Sequence, residues 1–260
     1  MKRDAYTFGT TPTAAERLAL LAALYDPDTR AFLARWAPQR TEHAIDLGCG
    51  PGHTVRLVHE VTWARRTTGI ERSPEFVALA RADAPPGVEI VEADVTADDL
   101  PVDRADVVHA RFLLTHLTAP ARALRRWGEL LRPSGVLVLT EVARLVSRDP
   151  VLGRYYEMVA ELQQHHGQAL DVGARLAEIA GGVAGLAVAD ARVRSWNPPP
   201  TAMAALHVLN LRSWRGGRYA TAAFDPDELD ALDEARVEIV RGRPTEPIEQ
   251  DLAEGVLAHP

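Results

Sequence analysis

Three glycines, Gly48, Gly50 and Gly52, follow a short apolar segment, and an acid, Asp46, lies two residues before the first of them. Glycine lets the backbone turn sharply and lets a ligand approach closely, because it has no Cβ. The helical stretch that comes next offers N–H groups that no preceding turn can bind. We therefore expect this glycine loop to hold a nucleotide-like ligand above the carboxyl end of a strand.

The glycine spacing and the charge of Asp46 favour one class of nucleotide over another. A dinucleotide site has the pattern G-x-G-x-x-G, with the pyrophosphate at the helix N-terminus. Here the third glycine position of that pattern is His53, and the spacing is G-x-G-x-G. The carboxylate of Asp46 would repel a pyrophosphate, whereas it suits a ligand with an ammonium and a sulfonium. This charge favours S-adenosylmethionine (SAM) over NAD.

Short apolar runs alternate with helical stretches from residue 43 onward, which is typical of βαβ units and a parallel sheet. Right-handed crossovers then place helices on both faces of that sheet. We predict an α/β protein with a Rossmann-like, seven-stranded, mostly parallel sheet, helices on both faces and an added helical cap. The predicted strands are His43–Leu47, Thr67–Glu71, Val88–Glu92, Ala105–His109, Val136–Glu141, Leu186–Trp196 and Ile248–Leu257.

The segments outside this alternation are predicted to be mostly helical. Thr11-Pro12 and Asp26-Pro27 each place a capping residue before a proline, which predicts two helices within residues 11–37. We divide the chain into an N-terminal helical lid, residues 1–42, and a second domain, residues 43–260. Helical cap segments are expected near residues 144–170 and 197–247.

Residues Asp46–Gly52, with the sequence DLGCGPG, resemble the first motif of class I SAM-dependent methyltransferases. Gly69–Pro74 resembles the second motif, with Arg72 in place of a small or apolar residue. Asp106–Thr115 resembles the fourth motif. Leu131–Val136 resembles the L-K/R-P-G-G turn, with a serine replacing its first glycine. The resemblance covers roughly residues 43–141 and implies an enzyme of the small-molecule methyltransferase type.

The resemblance also implies roles for particular residues. The loop backbone would curl round the amino-acid part of SAM, and Asp94 would face the adenine amino group. Glu71 ends a strand where an acid accepts hydrogen bonds from ribose hydroxyls. In related enzymes an N-terminal segment folds over the cofactor, and an arginine meets its carboxylate. The expected cofactor contacts are Asp46, Gly48, Cys49, Gly50, Gly52, Glu71, Arg72, Asp94, Val95, Ala110, Arg111, Tyr6 and Arg17.

Several of these residues have a plainer interpretation. Asp46 is suited to accepting hydrogen bonds from loop amides, as a short acid after a strand often does. Cys49 is a small loop filler with no base beside it in the sequence. His116 is the candidate catalytic base, and a structural hydrogen bond to the loop is its alternative role. His165 and His166 diverge on a helix, so we expect no metal site.

The part of the chain that resembles the family least is expected to bind the methyl acceptor. It is rich in aromatic and hydrogen-bonding groups, as in a mostly apolar pocket with a few polar contacts. It resembles the caps of enzymes that methylate quinones, aconitate-like acids and bacterial natural products, including specialised metabolites. A hydroxyl or protonated amine acceptor needs a general base, whereas a carboxylate does not. The candidate acceptor contacts are Tyr155, Tyr156, His207, Asn210 and Trp214.

The composition limits the partners. The net charge of −7 does not provide the positive surface that nucleic acid requires. The single cysteine, Cys49, cannot form an intrachain disulfide, and no apolar run is long enough to span a bilayer. We expect a cytoplasmic monomer or homodimer that takes SAM and a small acceptor, releases S-adenosylhomocysteine and binds neither nucleic acid nor membrane. The acceptor and the methylated atom (O, N or C) stay open. The alternatives are a nucleotide-dependent oxidoreductase and a non-catalytic SAM-fold partner protein.

Overall fold

The computed structural model describes Gly9 and residues 11–260, and in these residues seven strands form one sheet in the order β3-β2-β1-β4-β5-β7-β6. Strands β1 to β5 are parallel, whereas β7 runs antiparallel to both of its neighbours. The strands are β1 His43–Leu47, β2 Arg66–Glu71, β3 Val88–Glu92, β4 Ala105–Arg111, β5 Leu131–Ser147, β6 Ala187–Trp196 and β7 Ile248–Ala258. The predicted fold class is confirmed.

Helices cover both faces of this sheet. They are α1 Pro12–Trp36, α2 His53–Thr62, α3 Pro74–Ala82, α4 Pro120–Glu129, α5 Pro150–His165, α6 Leu176–Gly181, α7 Pro200–Trp214, α8 Ala220–Ala223 and α9 Pro226–Val240. Helices α1 and α2 bury Phe32, Leu33 and Val58 against one face. On the other face of the sheet, α4 packs through Leu124 and Trp127. None of the described helices is long and apolar enough to cross a membrane.

Helix starts follow the sequence signals closely. The hydroxyl of Ser73 accepts a hydrogen bond from the N–H of Phe76 at 3.2 Å, directly before Pro74. Asp149 and Asp225 cap α5 and α9 in the same way, each followed by a proline. Proline at the first helical position loses nothing, because its missing N–H would have had no partner there.

Helix α1 corrects one prediction, since residues 11–37 form one helix and not two. A proline inside a helix removes a hydrogen bond and crowds the preceding turn, and Pro27 lies inside α1. On either side of it Tyr25 and Thr29 are buried, and the Thr29 hydroxyl donates to the Tyr25 carbonyl at 2.9 Å. Packing on both sides of the proline therefore keeps the helix continuous.

Strand β5 is longer than predicted, because β7 pairs with it over its whole second half, up to Ser147 opposite Ile248. The segment expected to be helical from residue 144 is therefore strand until Ser147, and α5 begins at Pro150. Helices α5, α7 and α9 share a separate apolar cluster that includes Leu152, Leu211 and Ile239. These helices form the cap.

The sheet order reverses next to β1, whose two neighbours are β2 and β4. The chain leaves β1 for β2 on one side and later returns to β4 on the other. The connections after β1 and β4 therefore diverge and leave a crevice at their carboxyl ends, which is where ligands bind in open α/β sheets.

Candidate functional site

A cavity of about 570 Å³ lies in this crevice, between the sheet and the cap. Its size is within the range of small-molecule sites, roughly 300–1,000 Å³. Three parts of the fold form its wall. The ends of the strands and the loops after them contribute Gly48, Gly50, Glu71, Arg72, Asp94, Val95, Arg111, Phe112, Leu113 and His116. Helix α1 contributes Arg17, Leu18, Leu21 and Tyr25, and the cap contributes Gln163, Met203, Leu206, His207 and Asn210.

The glycine loop adopts a backbone that requires glycine. Gly48 and Gly50 have φ angles of +66° and +54°. A Cβ on Gly48 would lie 2.9 Å from Cδ1 of Leu113, which is too close. Both glycines line the cavity, so a ligand meets bare backbone there.

Glu71 lies at the end of β2, where its carboxylate lines the cavity and also fixes the loop. Oε2 accepts a hydrogen bond from the N–H of Gly50 at 3.0 Å, and Oε1 accepts from the N–H groups of Arg72 and Ser73 at 2.8 Å. Burial raises the pKa of Glu71, and these backbone donors oppose the rise. The acid is thus held rigidly beside the glycine loop.

Asp94 lines the cavity just after β3, which is two strands away from β1 in the sheet. Its Oδ1 accepts from both the N–H and the hydroxyl of Thr96, at 2.9 and 2.7 Å. No hydrogen bond from a described residue reaches Oδ2. Next to it Val95 is buried at the cavity wall, and its carbonyl accepts from Nε1 of Trp127 at 3.0 Å. An oriented carboxylate beside an apolar side chain suits a planar base with an amino group.

Asp46, expected to contact the ligand, is not among the described residues that line the cavity. Its Oδ1 lies 2.7 Å from Nδ1 of His109, and its Oδ2 accepts from the Thr54 hydroxyl at 2.5 Å. Its side chain is 1% exposed. The structure therefore favours the internal role for Asp46, which links β1 to β4 and α2.

Three more of the expected cofactor contacts lie behind the cavity wall. Cys49 is buried in a cluster with Val55 and Ile90, and its N–H donates to the Ile70 carbonyl. Gly52 is the N-cap of α2. Ala110 is fully buried in the core below the sheet edge. Successive side chains of a strand point to opposite faces of the sheet, and Ala110 of β4 points into the core whereas Arg111 lines the cavity.

Arg111 lines the cavity, but its guanidinium is directed to α1. Nη1 donates to Oδ1 of Asp26 and to the hydroxyl of Thr29, both at 2.8 Å. Its side chain is only 3% exposed. Arg111 therefore anchors α1 over the site, and Nη1 of its guanidinium is already bound to Asp26 and Thr29. Arg17 of α1 is buried at the cavity wall, whereas Tyr6 lies outside the described residues.

Glu141, for which no role was predicted from the sequence, is fully buried in β5. Its Oε1 accepts from the N–H groups of Leu113 and Leu114 at 2.8 and 2.6 Å. Burial raises its pKa to about 8, against the effect of these donors. It fixes the loop after β4, in which Phe112 has a φ of +52°. The sequence signal for this role was an acid within an apolar strand, because a buried carboxylate needs hydrogen-bond donors in the interior.

His116, the candidate base, lines the cavity just after this loop. Burial lowers its pKa to about 3, and the charges of Arg17 and Arg72 add to the decrease. A base this weak accepts a proton from a hydroxyl poorly near neutral pH. The ring is neutral and is suited to hydrogen bonding with a ligand.

Of the five candidate acceptor contacts, His207 and Asn210 line the cavity. Tyr155 and Trp214 are buried in the cap, and Tyr156 lines a separate cavity between β5 and α5. The ring centroids of Tyr155 and His207 are 4.7 Å apart. The faces of α5 and α7 that carry these aromatic side chains are buried in the cap cluster. The described part of the chain contains no group of three or more side chains able to hold a metal ion.

The chain is similar to known methyltransferases over part of its length. Residues 45–139 match the family model described as a methyltransferase domain. Trans-aconitate 2-methyltransferase from Shigella flexneri is 37% identical over 108 residues, which is 42% of this chain and 42% of the relative. The Escherichia coli enzyme of the same name matches over the same share of both chains. The match thus spans less than half the length of these curated relatives.

Two solved structures share the fold over most of the chain. Haemonchus contortus phosphoethanolamine N-methyltransferase 2, with phosphomonomethylethanolamine and S-adenosylhomocysteine, has a TM-score of 0.59 at 16% identity and covers 94% of this chain and 57% of that one. The 4+2 cyclase SpnF has a TM-score of 0.56 at 18% identity and covers 90% of this chain and 81% of that one. At such identities the likeness concerns the fold alone.

Proposed function

We propose that this chain is a class I SAM-dependent methyltransferase that transfers a methyl group from SAM to a small organic acceptor, and the match of residues 45–139 to a methyltransferase domain supports the proposal. The observation that carries the proposal is the placement of Gly48, Gly50, Glu71 and Asp94 around one cavity that the cap encloses. Bound SAM supplies an electrophilic methyl carbon on a sulfonium, and the protein has to orient it.

Each end of the cofactor has a matching group in the cavity wall. We assign the amino-acid part to the backbone at Gly48 and Gly50, and the ribose hydroxyls to the carboxylate of Glu71. The adenine amino group is assigned to Asp94, with Val95 against the ring. The cofactor's carboxylate is assigned to Arg17, a buried cation at the same wall.

The cap positions the acceptor and excludes water. Methyl transfer is an in-line displacement, so alignment of the nucleophile, the methyl carbon and the sulfur is the main requirement. His207 and Asn210 line the acceptor end of the cavity and provide hydrogen bonds to it. A general base is not needed for an acceptor that is already deprotonated, and the low pKa of His116 fits such an acceptor better than a neutral hydroxyl.

The names of the relatives support a small acceptor. Trans-aconitate 2-methyltransferase is named for a small organic molecule, and the Haemonchus contortus enzyme was solved with a small phosphorylated amine. The net charge of −7 speaks against a nucleic-acid substrate. We propose that the protein acts in the cytoplasm as a monomer or homodimer, in keeping with its single, buried cysteine.

Calorimetric titration with SAM, S-adenosylhomocysteine, NAD and NADP tests the cofactor assignment. We expect binding of the two adenosyl compounds only. Glu71→Gln should weaken S-adenosylhomocysteine binding about ten-fold, the value of one hydrogen bond to a charged group. Glu89→Gln, an exposed acid on β3, is the matched control and should bind normally. Binding of NAD in place of SAM would contradict the proposal.

Turnover needs a separate experiment, because the cyclase SpnF shows that this fold also occurs in proteins named for another reaction. The protein is incubated with methyl-labelled SAM and a bacterial metabolite extract, and labelled products are detected by mass. A labelled small molecule that forms with the wild type and not with Glu71→Gln at low SAM concentration supports methyl transfer. SAM binding with no labelled product would favour the non-catalytic alternative.

A further inference from the structure

The charged side chains around the cavity come from the sheet side and from α1, and none of the described lining residues of the cap is an acid, a lysine or an arginine. The acids among the described lining residues are Glu71 at the end of β2, Glu75 after β2 and Asp94 after β3, and the arginines are Arg17 of α1, Arg72 after β2 and Arg111 at the end of β4. The cap contributes no carboxylate among its described lining residues. Its polar contributions include His207, Asn210 and Gln163. The end that we assign to the cofactor therefore contains both acids and arginines, whereas the described residues of the acceptor end include neither.

Behind the acceptor end lies a buried cation, Arg236 of α9, which is 0% exposed. Its guanidinium stacks over the ring of Tyr155 at 4.5 Å. Its nearest ionic partner is Oδ1 of Asp233 at 3.8 Å, and Oδ2 of Asp233 already accepts from Arg212 at 3.0 Å. Two cations thus share one carboxylate, and a positive charge is left without a full counter-charge in the interior of the cap.

Several buried polar atoms of the cap, including those of Arg236 itself, have no hydrogen-bond partner among the described residues. Buried polar groups in native proteins are nearly always hydrogen-bonded, so several orphaned groups together need an explanation. We call Tyr155, Tyr156, His207, Asn210, Trp214 and Arg236 the Arg236 cluster. The Tyr155 hydroxyl is a hydrogen-bond partner of Trp214 and Asn210. No described residue forms a hydrogen bond to Oη of Tyr156, to Nδ1 of His207 or to Nε, Nη1 and Nη2 of Arg236.

The Arg236 cluster reaches the cavity through His207 and Asn210, which belong to both. The rings of His207 and Tyr155 are in contact, with centroids 4.7 Å apart, and Arg236 lies against the same tyrosine. A ligand group that binds at His207 and Asn210 therefore lies within the field of the buried guanidinium. In a low-dielectric interior this field acts over several ångströms.

We propose that the Arg236 cluster is a subsite for an acidic group of the methyl acceptor, so that the acceptor is a small molecule with a carboxylate or phosphate remote from the methylated atom. This inference rests on the proposed function and adds the acceptor class to it. The oxyanion accepts hydrogen bonds from His207 and the amide of Asn210, and it supplies the counter-charge that Arg236 lacks. Burial and the charge of Arg236 lower the pKa of His207 well below its ordinary value, so the imidazole is neutral and offers one N–H.

The test uses protein saturated with S-adenosylhomocysteine and pairs of probes that differ in charge. Succinate and benzoate are titrated by calorimetry beside succinamide and benzamide, and inorganic phosphate distinguishes a carboxylate site from a general oxyanion site. We expect the carboxylates, or phosphate, to bind at least 30-fold more tightly than the amides, on the order of the effect of one buried charge contact.

Variants locate the subsite. Arg236→Gln should remove most of the preference for the charged probes. Arg241→Gln, at the exposed end of the same helix and paired with Glu238, should keep it. Because removal of a buried arginine can impair folding, Asn210→Leu provides a second variant that changes only the cavity side and should also weaken the charged probes.

The outcomes separate this inference from the proposed function. If S-adenosylhomocysteine does not bind, the proposed function fails and the inference fails with it. If it binds but the amides bind as well as the acids, or no acid binds, the Arg236 cluster holds ordered water only and the inference is wrong while the proposed function stands. Unchanged succinate affinity in folded Arg236→Gln would also overturn it.

Discussion

Asp46 and His109 face each other across neighbouring strands, with Nδ1 of the histidine 2.7 Å from Oδ1 of the acid and both side chains 1% exposed. The two residues are paired in the register of β1 and β4, so their contact joins these two strands just before the glycine loop. The acid that resembles a ligand contact in the sequence is therefore part of the support of the loop.

The first prediction follows from this contact. Asp46→Ala should lower the free energy of unfolding by about 3 kcal/mol, because it removes two buried hydrogen bonds and leaves His109 without a partner. Urea unfolding of the wild type and the variant measures the difference. Asp103→Ala, which removes an exposed ion pair with Arg66, is the control and should unfold almost like the wild type. If Asp46→Ala had normal stability but no longer bound S-adenosylhomocysteine, Asp46 would be a ligand contact and not a structural support of the loop.

Asp94→Asn should change the preference for the base of the cofactor. A carboxylate accepts from the adenine amino group, whereas an amide can also donate to the oxygen of hypoxanthine. We expect S-adenosylhomocysteine to bind about ten-fold more weakly to the variant, and S-inosylhomocysteine to lose less or to gain. Titration of both compounds into both proteins gives the ratio. An equal loss for the two compounds would mean that Asp94 acts only on the loop that contains Thr96.

Arg111→Leu should loosen α1 from the sheet. The substitution removes the two hydrogen bonds to Asp26 and Thr29 and leaves Asp26 without its cation. We expect a loss of roughly 2–3 kcal/mol of stability, together with faster proteolysis within α1. Arg30→Leu removes another ion pair of α1, with Glu60, that is half exposed, and it should leave the proteolysis rate unchanged. If α1 were cleaved at the same rate in Arg111→Leu as in the wild type, apolar packing alone would hold the helix on the sheet.

Glu141→Gln should make stability less dependent on pH. The pKa of Glu141 in the folded chain, about 8, lies above its ordinary value of 4.5. Between these values the folded state keeps a proton that the unfolded state has released, so its contribution is complete below about pH 4.5 and declines as the pH rises to about 8. Glutamine, which is always neutral, does not have this decline.

Urea unfolding across that pH window checks the prediction. The wild type should lose stability relative to Glu141→Gln as the pH rises, by an amount on the order of a few kcal/mol. Glu129→Gln, on an exposed ion pair, controls for the loss of one carboxylate and should follow the wild type. Parallel curves for the wild type and Glu141→Gln would show that Glu141 is ionised in the folded state.

Local signals in the sequence were sufficient for the fold and for part of the candidate cofactor site. Ser73-Pro74 and Asp225-Pro226 start helices where predicted, because capping depends on residues that are adjacent in the chain. The glycines at Gly48 and Gly50 indicate a backbone with positive φ, a property of those residues themselves.

What the sequence determined by itself is the order of strands and helices, the glycine loop and the two acids, Glu71 and Asp94, that line the cavity. Only the tertiary structure decided that Asp46 turns to His109, that Glu141 holds the loop after β4, and that Arg236 lies behind His207. The physical reason is the range of the interactions. Caps and turns form between near neighbours, whereas the partner of a buried charge comes from a strand or helix distant in the chain, and only packing brings the two together.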